Sequence, residues 1–143
     1  MKAAGWVWGA VLVWVGSAWG EDARQLAPLP EPAQAVLRQE MLDNMAALNE
    51  ILSLMADGQV KAAGQVAEAK LGRSAMGKNR ALPFEARPGA HMPQAMHEIG
   101  LSGHQAASEF ARAAARGDQE GAMALLPSLT ATCVACHLSY RAR

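Results

Sequence analysis

Cys133, Cys136 and His137 are the side chains of this sequence whose types and spacing could do chemistry together, in the pentapeptide Cys133-Val134-Ala135-Cys136-His137 close to the C-terminus. Two thiols three residues apart can each add to one vinyl group of a haem, and the histidine that follows can present an imidazole nitrogen to the iron. On a helix the three residues stand at i, i+3 and i+4, so they share one face and a haem would lie flat against it. The competing chemistries fit less well. A thioredoxin-like redox pair wants a strand-rich βαβ setting that this alanine- and leucine-rich chain does not offer, and a zinc site needs two further ligands, which only His91, His97 and His104 could supply. A disulfide between cysteines three apart on one helix is strained.

The elements that must position this group follow from the apolar spacing. From Ala33 to about Ala56, Leu37, Met41, Met45, Leu48, Leu52 and Met55 recur every three or four residues, the seam of a bundle helix that Asp57-Gly58 ends. A shorter helix is expected from about Gln59 to Leu71, with Val60, Ala63, Ala67 and Leu71 on one face and Gly72 as its stop. A third runs from Pro93 to Arg116 on Met92, Met96, Ile99, Gly103, Ala106, Phe110 and Ala113, with Gly103 leaving room for a backbone or a flat ring. The fourth, with Asp118 as N-cap, continues its seam through Met123, Leu126, Thr130, Cys133, His137 and Tyr140, and is expected to start or kink at Pro127. Between Gly72 and Pro93 lies a long break that gathers Arg73, Lys78, Arg80 and Arg87 against a lone Glu85. It is either a crossover closing over the cofactor or partly mobile, and its charges are a solvated loop, a docking site for an acidic partner or a contact for haem propionates. These elements predict an all-α fold, an antiparallel four-helix bundle with haem in the core.

Residues 1–20 read as a signal peptide, with Lys2, the apolar run Trp6–Val15 and the small-x-small site Ala18-Trp19-Gly20. Residues 21–32, with Pro28, Pro30 and Pro32, read as an extended leader, and 33–143 as the bundle domain. No later apolar run approaches a membrane span, so the exported chain is expected to be soluble and, in a bacterium, periplasmic, where haem is attached to such motifs. All four tryptophans lie in the signal, which leaves Phe84, Phe110 and Tyr140 as the only mature aromatics. A buried haem would supply the missing apolar bulk in a domain of this size. Of the 13 Lys and Arg, Lys2 leaves with the signal, and the rest nearly balance 13 Asp and Glu, so no charge argues for nucleic acid or a membrane surface.

A last helix carrying Cys133-Val134-Ala135-Cys136-His137-Leu138-Ser139-Tyr140-Arg141, behind three other helices, resembles the class II cytochromes c, the cytochrome c prime family and its low-spin, methionine-ligated members. The resemblance implies one covalent haem c, thioether anchors at Cys133 and Cys136, and His137 as proximal iron ligand. It also implies a basic residue after an aromatic, matched by Arg141, a candidate partner for a propionate. Asp43-Asn44-Met45-Ala46-Ala47-Leu48-Asn49 is similar to the start of the b-type four-helix-bundle cytochromes, which favours Met45 as sixth ligand, with Met41 as the alternative. Aligned on Arg38 and Gly58 instead, the axial position falls at Leu42, as in five-coordinate, gas-binding members.

Two functions therefore compete. With a methionine on iron the protein is a periplasmic electron carrier serving soluble or membrane-bound redox partners. With Leu42 over the iron it binds nitric oxide or carbon monoxide. A catalytic haem enzyme would want a distal acid/base pair, and His97 and His104 flank the seam rather than lie on it. Many relatives dimerise, so a homodimer is among the expected states. The eight methionines are otherwise core filler.

Overall fold

A computed structural model describes residues 21–142; the expected signal peptide, 1–20, lies outside them. The described chain is mostly helical, and four helices pack against one another: α1 (Glu31–Ala56), α2 (Val60–Val66), α3 (Gln94–Ala115) and α4 (Gln119–Ser139). α2 is prolonged by a π turn over Ala67–Leu71, so helical backbone reaches the residue expected before Gly72. α3 and α4 form a helical hairpin across Arg116–Asp118, where Gly117 takes φ +73° and the Asp118 side chain accepts the Gly121 N–H at 2.8 Å as N-cap.

One apolar cluster joins Ile51 and Met55 of α1, Val60 and Ala63 of α2, Phe110 and Ala114 of α3, and Ala122 and Leu129 of α4. A second joins Leu37, Met96 and Tyr140 to Ala27, Leu29 and Ala33, with Met41, Met92, Ile99 and Cys136 packed on it. Early α1 thus meets the end of α4 and late α1 meets its start, so α1 and α4 run antiparallel. α1 packs along α2, α2 along α3 and α3 along α4, whereas no comparable seam joins α1 to α4. Gly103 lets α3 and α4 approach closely: a Cβ there would stand 3.1 Å from Thr132 Oγ1.

Four features depart from the sequence expectation. The leader is part of the fold, because α1 starts at Glu31 and buries Ala27 and Leu29 ahead of it, and β1 (Gln25–Leu26) pairs in parallel with β2 (Tyr140–Arg141). Of the two expectations for Pro127, a helix start is excluded, because it lies exposed inside α4. The break over 72–93 is built from three 3₁₀ turns, at Arg73–Ala75, Phe84–Ala86 and Pro88–Ala90, the last two lying against α1. Finally, α4 is long and apolar enough to cross a membrane by length and composition, although only 11% of its most apolar stretch is buried. Counting unbroken apolar runs missed it, because small and hydroxylic residues rather than charges interrupt this helix.

Candidate functional site

The last turns of α4 present the chemistry. Cys133 and His137 are exposed, Cys136 is half-buried on the cluster around Tyr140, and both cysteines are free thiols. Burial, and to a lesser degree the neighbouring Cys133, push the Cys136 thiol above its ordinary pKa. α4 stops at Ser139 because Tyr140 turns extended (φ −127°, ψ 151°), its N–H donating to the Cys136 carbonyl while its ring goes into the core. The motif therefore occupies a short helical end fixed on one side by a buried tyrosine.

Where the expected seams fall is informative helix by helix. On α2 and α3 they are the buried stripes: Val60, Ala63 and Ala67, and Met96, Ala106, Phe110 and Ala113. On α1 and α4 they are so only in part. α1 buries Leu37, Ala47, Ile51 and Met55, and leaves Met45 69% and Leu42 65% exposed, with Leu52 also out and Met41 half-buried. α4 buries Ala122, Leu129 and Tyr140 and leaves Met123, Cys133, Val134, His137 and Leu138 exposed. Met45 is thus beside the packed seam of α1 rather than in the middle of it. On both helices, apolar residues adjoining the buried stripe are left exposed, and no continuous seam joins these two helices.

The other candidates have identifiable occupations. His104 Nδ1–H donates to the carbonyls of Leu71 (2.7 Å) and Gly72 (3.1 Å), which closes the helical run before the break. His91 Nε2 lies 3.1 Å from the Phe84 carbonyl, and its ring meets that of Phe84 edge-on at 5.0 Å. His97 is exposed near Gly89. Among the described residues no three His, Cys, Asp or Glu side chains gather to hold an ion, so the dispersed histidines do not assemble with the cysteines into a zinc site. In the basic break, Lys78 Nζ reaches Glu40 at 3.6 Å and Arg87 Nε donates to the Leu82 carbonyl at 2.7 Å, while Arg73 and Arg80 are exposed.

Arg141, the propionate candidate, donates from Nε to the Arg24 carbonyl at 3.3 Å and lies 3.7 Å from Asp22. Asp22 and Arg24 were invisible to sequence reasoning, which read residues 21–32 through their prolines. The Asp-x-Arg spacing is at most a weak signal for the ion pair it forms.

Comparison with protein-family models, with curated proteins and with solved structures finds no match for this chain.

Proposed function

We propose that the chain is a periplasmic monohaem c-type cytochrome of the class II kind, an electron carrier with one haem held between α1 and α4 in an antiparallel four-helix bundle. The observation that carries this reading is the pairing of a C-x-x-C-H motif with apolar flanks left exposed on α1 and α4, which meet at their ends but share no continuous seam. Leaving Met, Leu and Val side chains in water forfeits about 1.5–3 kcal/mol for each one that could be buried, and a flat apolar group between the helices recovers it. The donor set fits the same place: Cys133 and Cys136 supply the thioether anchors and His137 the imidazole, all on the α4 flank.

When bound, the haem supplies an iron that exchanges one electron between its ferric and ferrous states. The chain's residues do the rest. The α1 and α4 flanks would exclude water, and a methionine thioether on α1 would be the second protein ligand beside His137. The Asp43-Asn44-Met45 run favours Met45 for that role, with Met41, which packs on the cluster that holds Cys136, as the alternative. Met41 shares a cluster with Cys136 and Tyr140, and Met45 stands one turn further along α1. Leu42, on the outer edge of the same α1 flank, keeps the gas-binding reading as the alternative.

Optical and spin-resonance spectra of the purified oxidised protein test the assignment. The account expects a low-spin ferric haem that Met45→Ala converts to high spin and opens to carbon monoxide. A parent already high spin favours Leu42 over the iron, and conversion by Met41→Ala alone moves the ligand back one turn.

A further inference from the structure

We propose that the leader Asp22–Leu29 is the positioning element for His137, with Arg24 as the residue that holds the ligand-bearing turn. This rests on the haem reading above and adds a role for residues outside the motif. The last carbonyls of a helix lack intrahelical partners, and α4 ends only two residues after His137. The His137 carbonyl is met instead by Arg24 Nη1 at 3.4 Å. A long arginine would hold such a contact poorly by itself, but Asp22 grips the guanidinium at two points, Nε at 2.9 Å and Nη2 at 2.8 Å, in the bidentate geometry that fixes a fork-shaped donor. Arg141 closes the group through the Arg24 carbonyl and Asp22.

The backbone reinforces the side chains. Gln25 and Leu26 are in register with Tyr140 and Arg141, and the Ala27 N–H donates to the Arg141 carbonyl at 3.0 Å. Behind them Ala27 and Leu29 are buried with Tyr140 and Leu37, in the cluster on which Cys136 packs. The turn that bears His137 is thus held at its carbonyl by Arg24 and from beneath by Tyr140. A ligand on the last turn of an unsupported helix would share that turn's fraying; a held turn presents its imidazole at one angle.

The test compares Arg24→Ala, Arg24→Lys and, as a core control in the other cluster, Val60→Ala in the haem-loaded protein, reading the hyperfine-shifted proton resonances of the His137 ring. Arg24→Ala should shift and broaden them and speed amide exchange at Tyr140 roughly two- to tenfold, the range that one hydrogen bond supplies, with little loss of melting temperature because Arg24 is exposed. Arg24→Lys should restore them only in part, since a lysine cannot keep both contacts to Asp22. Val60→Ala should lower the melting temperature and leave the ring resonances in place. Unmoved resonances in Arg24→Ala, or an equal shift in Val60→Ala, overturn the positioning role and leave the haem reading standing. A parent whose mass shows no attached haem overturns both.

Discussion

Cys133 and Cys136 differ in how readily each presents a thiolate. Cys133 is exposed, whereas burial raises the pKa of Cys136, and the thiolate is the reactive form. In the haem-free folded protein an alkylating reagent at neutral pH should label Cys133 well before Cys136. Peptide mapping of a time course would show this, and equal rates would mean that Cys136 is less covered than its packing on the Tyr140 cluster implies. The residue scale also separates the two methionines. Met45 is exposed, so without haem Met45→Ala should change stability little, while Met41, packed on a cluster, should cost more; chemical denaturation of haem-free variants measures the difference.

At the scale of elements, α2 and α3 were legible as apolar stripes because protein covers them, and the same periodicity misplaced the buried faces of α1 and α4. A stripe counted from sequence reports which residues avoid water and not what covers them. Leu37, Met55 and Tyr140 meet protein, whereas Met45, Leu52 and Cys133 on the same expected seams do not. The leader was illegible for another reason. Pro28 and Pro30 stand ahead of α1 and Pro32 lies in its first turn, and pairing Gln25 with Tyr140 is a contact across nearly the whole chain that no local pattern announces. That brace should depend on pH. Hydrogen bonds from Arg24 hold the Asp22 carboxyl well below its ordinary 3.8, at about 2. A carboxyl depressed in the folded state contributes above its ordinary pKa and loses that contribution as pH falls through its folded value. The ring resonances of Tyr140, the only tyrosine, should therefore hold steady from neutral pH to about 4 and move as pH falls towards 2. Asp22→Asn should abolish that movement, and its persistence would assign the transition elsewhere.

Among the described residues one large aromatic, Phe110, is fully buried, in the cluster that joins all four helices. Phe110→Ala should cost about 3–5 kcal/mol in chemical denaturation, whereas a loss under 1 kcal/mol would mean that the cluster does not carry the fold. With so few large side chains, and with the α1 and α4 flanks uncovered, a group bound between those helices should add much of the remaining stability by mass action. The haem-free protein should accordingly melt lower and less cooperatively than the loaded one, by calorimetry of the two forms side by side.

The central claim is a covalent haem on Cys133 and Cys136, and intact-mass analysis of the chain exported from a host that makes c-type cytochromes tests it most directly. The account predicts a mature chain heavier by one haem, with the addition surviving denaturation and absent when Cys133→Ser and Cys136→Ser are combined. A parent with the mass of the bare polypeptide, or an addition that the double variant retains, would contradict it.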